Sequence, residues 1–504
     1  MLARVRTVAL WGIEVLPVTV EVDVGDGLPR THIVGLPDST VRESQERLVA
    51  AFKHAGIELP VGRITVNLSP TDLRKIGSHY DLPIAVAMAL ASGKVPKVPV
   101  KDLIILGELA LDGGLRPVNG VLPTARWAKA EGARSLVVPR DNAREAAAGG
   151  LPVWAVGSLD ELFRVLWEGT PPPPPPSVTS PTVDRRSPDL ADVRGQAPAK
   201  RALEVAAAGG HNLLMVGPPG SGKTILARSL SGILPALEDA ASLETTCVHS
   251  AAGLLRPGEG VLRFPPFRAP HHTVSSAALV GGGSVPRPGE VSLAHHGTLF
   301  LDEFAEFRRD ALEALRQPLE EGRAVITRAR YSVTFPARFT LIAAMNPCPC
   351  GHAGDPLRVC NCSLHQVEQY RRRISGPLLD RVDLQIEVPR VRVEDLARGR
   401  RGESSAAVAA RVARARGLQW TRQGRLNGHL DLKGTERRCK PEPNAGRLLE
   451  QAMERFGLSA RAYHRVLRVA RTLADLEGAA RIQARHVAEG VQYRALDRSA
   501  VLRD

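Results

Sequence analysis

Gly217-Pro218-Pro219-Gly220-Ser221-Gly222-Lys223-Thr224 fits the pattern G-x-x-x-x-G-K-[ST] of a phosphate-binding loop. His211 to Val216 before it reads as a short buried strand, and Ile225 to Leu230 after it as the first turns of a helix. The pattern needs that strand–loop–helix setting. Its glycines let backbone N–H groups wrap phosphates, and the helix start adds positive potential. Lys223 is placed to reach the β- and γ-phosphates of ATP, and Thr224 to hold Mg²⁺.

A second nucleotide motif lies about 80 residues downstream. Gly297-Thr298-Leu299-Phe300-Leu301 is an apolar strand ending in Asp302-Glu303. Two carboxylates after a buried strand cost desolvation unless a cation compensates, which favours a metal reading. Asp302 suits Mg²⁺, and Glu303 suits orienting and deprotonating an attacking water. Leu341 to Met345 is a third buried strand, ending in Asn346. Arg381 precedes another strand-like run, where a pair with Asp380 or Asp383 in its own chain is the alternative to a catalytic role. Between the nucleotide motifs, the Gly and Pro density around Arg268 to Gly283 reads as a mobile loop. There His271 and His272 are candidates for facing nucleic acid. Arg328-Ala329-Arg330 forms the basic tip of an expected hairpin, making Arg328 and Arg330 further DNA candidates.

The chain has 504 residues, 43% hydrophobic and 24% charged, which points to a globular chain of several domains. It holds no run of about 18 apolar residues, so no membrane span is expected, and the N-terminus does not read as a signal peptide. A cytoplasmic protein is the expectation. The net charge is +14, and residues 371–504 carry 29 Lys and Arg against 16 Asp and Glu. That surplus fits a polyanion partner such as DNA, or equally a solvated helical surface. Cys348, Cys350, Cys360 and Cys362 fall as C-x-C-x₉-C-x-C, a set suited to tetrahedral Zn²⁺. Buried free thiols and a disulfide are the other readings, and His352 and His365 are alternative ligands.

Pro171 to Pro176 marks the clearest boundary, a stiff spacer. The expected division is 1–170, a mixed α/β domain; 171–187, a linker; 188–390, the nucleotide core; and 391–504, a basic helical region. Expected helices include one from Ser39, with Ser39 as its cap, one over 81–91, and one over 460–476 capped by Ser459. The stretch Arg422 to Lys440 reads as disordered or facing nucleic acid.

Gly107 to Gly120 resembles part of the Lon protease C-terminal domain, a ribosomal-S5-domain-2-like α/β fold. The positions matching that family's serine and lysine are Asp81 and Leu122, with Ser78 and Lys94 nearby but out of register. The resemblance therefore implies a protease-like fold without proteolysis. The nucleotide core resembles AAA+ ATPases, an αβα core with a C-terminal α-helical lid. That likeness implies that residues 189–196 line the adenine pocket and that Asn346 is the polar residue holding the lytic water. It further implies that Arg381 faces a neighbouring subunit's ATP and that Arg461 touches the γ-phosphate from the lid. Gly35 to Asp38, Arg268 to His272, Gly281 to Gly283, Asn346 to Gly351 and Ser375 to Asp383 extend the likeness over nearly the whole chain. They resemble the magnesium-chelatase-like AAA+ family that includes the YifB and ComM proteins. This likeness implies a hexameric, ATP-driven DNA helicase acting on single-stranded and branched DNA during natural transformation. A magnesium-chelatase subunit working on porphyrins and an ATP-dependent protease are the other two classes.

Overall fold

The computed structural model describes residues 2–93, 100–174, 187–328, 331–391 and 401–494. The chain forms two compact units. One is Met1–Thr182 together with Glu238–Arg263 and Ser284–Pro288; the other is Val183–Leu237, Phe264–Gly283 and Gly289–Asp504. The segment 238–263 lies within the nucleotide core in sequence, yet it packs with the N-terminal unit. Its helix Asp239–Ala251 lies against the helix Val121–Ala130. There Gly120 N–H donates to the Ser250 carbonyl at 3.0 Å, and the Ser250 hydroxyl bonds Glu145.

The first unit is built on a seven-stranded mixed sheet. Its order is Arg30–Val34, Arg63–Ser69, Glu14–Gly25, Leu2–Trp11, Leu103–Ile105, Ser135–Pro139 and Val153–Val156. Strict alternation places Val18, Val20 and Val22 in one core, with the fully buried helix Asp81–Ala91 upon it. The cap of the first helix, Ser39–His54, is Asp38, whose Oδ1 accepts from Val41 N–H at 2.9 Å, and not Ser39. A carboxylate one residue earlier serves because Asp38 keeps extended backbone, as a cap residue must.

The second unit carries a five-stranded sheet, all parallel. Its order is Phe267–Arg268, Thr298–Leu301, Thr340–Met345, Leu213–Val216 and Leu384–Glu387. Both faces are covered, so these strands read as near-continuous apolar runs. Leu213, Met215, Ile342 and Ala344 face one core; Leu214, Val216, Leu341 and Ala343 face the other. The C-terminal helices Pro443–Phe456, Ala460–Leu476 and Ala484–Gln492 enclose a further core around Leu449, Val466, Ile482 and Val487.

Three expectations need correction here. Residues 268–283 are not an open loop. Arg268 makes a bidentate pair with Glu290 at 2.7 and 2.8 Å, and Ser275 caps the short helix Ser276–Val280. Arg422 to Lys440 holds a helix, Leu432–Arg438, and a polar hub in which Arg422 and Asn427 both bond Asp475. The solvated-surface alternative for the basic surplus does not hold for Arg465, Arg468 and Arg471 on Ala460–Leu476. Arg465 pairs with Asp383 at 2.6 Å, Arg468 donates to the carbonyls of Gly428 and Leu430, and Arg471 is buried against Asp475. Sequence periodicity places these arginines on one face but does not show what packs over it.

Candidate nucleotide site

The site stands at the carboxyl ends of the parallel strands, where open α/β sheets bind ligands. Strand Leu213–Val216 delivers the loop 217–222, and helix Lys223–Ser229 leaves it. Gly217 is required by space, since a Cβ there would fall 2.1 Å from the Val388 carbonyl. Gly220 and Gly222 take φ of 75° and 92°, the left-handed region that glycine enters without strain. Lys223 is largely buried, and its ammonium donates to Gly217 O at 2.7 Å, Pro218 O at 2.9 Å and Asn346 Oδ1 at 3.4 Å. Burial lowers its pKa, with Asp302 pulling the other way.

Strand Thr298–Leu301 brings the acidic pair to the same place. Thr224 Oγ1 donates to Asp302 Oδ2 at 2.7 Å, and Asp302 Oδ1 accepts from Glu303 N–H at 3.0 Å. A hydroxyl and a carboxylate side by side are hard oxygen donors, the kind that suit Mg²⁺. Glu303 takes φ of 53°, a strained backbone for a non-glycine residue. Its Oε2 lies 3.1 Å from His272 Nδ1. His272 thus contacts an acidic residue of this site, while its neighbour His271 bonds Thr273. Of the other DNA candidates, Arg330 and the side chain of Arg328 lie outside the described residues.

The structure therefore brings together Lys223, Thr224, Asp302, Glu303 and Asn346. It holds Arg381 by a different partner from either expected one. Arg381 donates to Pro377 O at 2.7 Å and pairs with Glu320, whereas Asp380 lies 3.7 Å from Arg461 and Asp383 is taken by Arg465. Arg461 opens the helix Ala460–Leu476, capped by Ser459, and its side chain is 69% exposed. The four clustered cysteines converge, their sulfurs within 4.8 Å of one another.

Sequence reasoning missed two parts of this site. Gln196 donates to Ser221 O at 3.2 Å and Pro389 O at 2.6 Å, bracing the phosphate loop against the end of strand Leu384–Glu387. The likeness places 189–196 at the adenine pocket, but nothing in the sequence signals this bracing bond to the phosphate loop. The His272–Glu303 pair was the other. The strand Phe267–Arg268 neighbours Thr298–Leu301 in parallel, so residues following both strands emerge together. That pairing was the missing information.

In the N-terminal unit, Asp81 is fully buried, with Arg47 Nε at 2.6 Å and Nη2 at 3.0 Å, and accepts from Leu109 N–H at 3.2 Å. Burial pushes its carboxyl up against the pull of Arg47. Leu122 donates its N–H to Glu145 at 2.9 Å, and Ser78 bonds Glu108. Lys94 lies outside the described residues.

The family profiles described as "Magnesium chelatase, subunit ChlI", "Subunit ChlI of Mg-chelatase" and "Magnesium chelatase, subunit ChlI C-terminal" match residues 189–396, 20–142 and 402–494. The chain belongs to the magnesium-chelatase ChlI-type family of AAA+ ATPases. It is 44% identical to "Competence protein ComM" of Haemophilus influenzae, over 99% of this chain and 98% of that one. It is 43% identical to "Uncharacterized protein YifB" of Escherichia coli, again over 99% and 98%. No described helix is long and apolar enough to cross a membrane.

Proposed function

We propose that this family member is an ATP-driven DNA motor, assembled as a hexameric ring, that promotes branch migration while transforming DNA is integrated by recombination. The observation that carries the reading is likeness along the whole chain to a protein named for competence. The converged ATP site supports the motor half.

Lys223 neutralises phosphate charge from a loop whose carbonyls already hold its ammonium in place. Thr224 and Asp302 are the oxygens that would hold Mg²⁺, which when bound neutralises charge on the β- and γ-phosphates. Glu303 acts as general base on water, with Asn346 orienting it. Arg381 works in trans on the neighbouring subunit's γ-phosphate, and Arg461 from the lid in cis. Single-stranded and branched DNA are the substrates, in the cytoplasm.

Synthetic four-way junctions incubated with the protein test this. ATP-dependent branch movement, abolished in Lys223→Ala, is the expected result. Porphyrin metallation without any effect on junctions would move the chain to the chelatase class. Proteolysis has little support, since Asp81 is committed to Arg47 where the Lon family has its serine.

A further inference from the structure

The loop after strand Thr340–Met345 carries Cys348, Cys350, Cys360 and Cys362. Three of the sulfur–sulfur distances are 3.4, 3.6 and 3.6 Å. Thiolates at about 2.3 Å from one tetrahedral ion stand about 3.8 Å apart, so the four sulfurs already outline a mononuclear site. A disulfide needs about 2.05 Å, and all four cysteines are free. A multi-iron cluster, with sulfides between the irons, would hold the thiolates farther apart.

The backbone also reaches one of the sulfurs. Ala353 N–H donates to Cys348 at 3.2 Å. A donor aimed at a sulfur helps to stabilise a thiolate bound to a cation. The four sulfurs form the group by themselves; His352 lies 3.4 Å from Asp355 instead. Four thiolates complete a tetrahedral shell and leave no position for substrate, which is the mark of a structural ion.

The loop touches the nucleotide site at defined places. Gly351, with φ of 83°, sits so close to Pro219 of the phosphate loop that a Cβ would meet the ring at 2.8 Å. Asn346, two residues before the first cysteine, is the residue 3.4 Å from Lys223. On the far side, Asp355 pairs with Arg390 at 3.0 Å, just beyond strand Leu384–Glu387.

We propose that Cys348, Cys350, Cys360 and Cys362 bind one Zn²⁺ per chain, and that this ion fixes the loop bracing Pro219 and Asn346 for nucleotide binding. The second half rests on the ATP-site reading; the first does not. The metal is structural, so its loss acts through the position of the phosphate loop.

The test uses the full chain purified without chelator. Elemental analysis is expected to give one zinc per chain in the wild type and in Cys439→Ser, and none in the double variant C360S/C362S. Exchange with Co²⁺ in the wild-type protein should give the strong sulfur-to-cobalt charge-transfer band and the visible bands of a tetrahedral tetrathiolate. This readout does not depend on the variant folding. Lys223→Ala should keep its zinc while losing binding of a fluorescent ATP analogue, which separates the metal from the ATP reading. The double variant, and wild type stripped of zinc, should bind the analogue about tenfold more weakly, as a displaced phosphate loop requires. Substoichiometric zinc, iron in its place, no tetrathiolate cobalt spectrum, or a disulfide between any two of the four cysteines would overturn the metal site. Unchanged nucleotide affinity after zinc removal would overturn the coupling.

Discussion

Glu303 is held at both ends. Its backbone sits in the left-handed region and its carboxylate meets His272 at 3.1 Å. A left-handed non-glycine residue costs about 1–2 kcal/mol, tolerated when surrounding bonds over-determine it. The bond from its own N–H to Asp302 is one such constraint. The His272 contact bears on chemistry. A carboxylate oxygen held by an imidazole is not free to take a water at the same time. On the proposed reading, His272→Ala frees that base and raises DNA-independent ATP hydrolysis roughly three- to tenfold. Steady-state phosphate release without DNA checks this, and a drop in rate would mean that His272 orients the base instead of restraining it. The motif residues 217–224, 302, 303 and 346 were legible because their chemistry requires a fixed local spacing. The His272–Glu303 pair was not, because it depends on two strands becoming neighbours, and no local spacing encodes that.

At the level of elements, the C-terminal helix Ala460–Leu476 is tied to the sheet by ion pairs. Asp383 is buried, bonds Arg465 at 2.6 Å, and lies 3.6 Å from His211. Burial alone would raise its carboxyl, but Arg465, His211 and Arg468 hold it far below the usual carboxylate range. Removing one member of such a buried pair leaves the other charge uncompensated. Asp383→Asn should therefore cost about 3–5 kcal/mol in the second unit, read by urea unfolding at pH 7. The sign of the linkage follows from the depressed pKa. The Asp383 contribution is complete above the ordinary aspartate range and is lost as pH falls toward the folded value. The basic surplus of this region was visible in composition, but its use was not. Arg465, Arg468 and Arg471 each meet a carboxylate or a carbonyl, so that part of the surplus supports packing.

The N-terminal sheet carries the opposite case, a histidine buried neutral. His79 Nε2 meets the Val8 carbonyl at 2.9 Å just before the helix Asp81–Ala91. Burial lowers its pKa from 6.5 to about 4, although the Val8 bond and Asp38 favour the charged form. Between those values the unfolded chain binds a proton that the folded chain refuses. Stability from this residue is full above pH 6.5 and falls as pH drops toward 4, by up to about 3 kcal/mol. Trp11, Trp127, Trp154 and Trp167 belong to this unit and Trp420 to the other, so tryptophan fluorescence reports mainly here. Urea midpoints at pH 7 and pH 5 should show the loss, and His79→Gln, which keeps a donor for Val8, should flatten it.

Over the whole molecule, the proposed motor needs the site to act across subunits. Lys223, Thr224, Asp302, Glu303 and Asn346 come together within one unit of one chain. Arg381 is instead held by Glu320 and the Pro377 carbonyl, and its sequence neighbour Asp380 lies by Arg461. On the proposed reading, Arg381 acts in trans, and an arginine acting in trans completes a site only across a subunit boundary. Sequence order placed Arg381 and Arg461 in the proposed set, but it cannot say whether a residue acts within its own chain or on a neighbour. Mixing two dead variants can. Lys223→Ala retains Arg381, and Arg381→Ala retains the phosphate loop. Each alone should hydrolyse ATP at under about 1% of the wild-type rate if each residue contributes a typical electrostatic share. In rings assembled from equal amounts, one interface in four pairs an intact loop with an intact arginine, so about a quarter of wild-type activity should return. If Arg381 served its own chain's ATP, neither partner could repair the other and the mixture would stay inactive. Recovery that fades on dilution, together with the loss of large assemblies in light scattering, would tie hydrolysis to the ring.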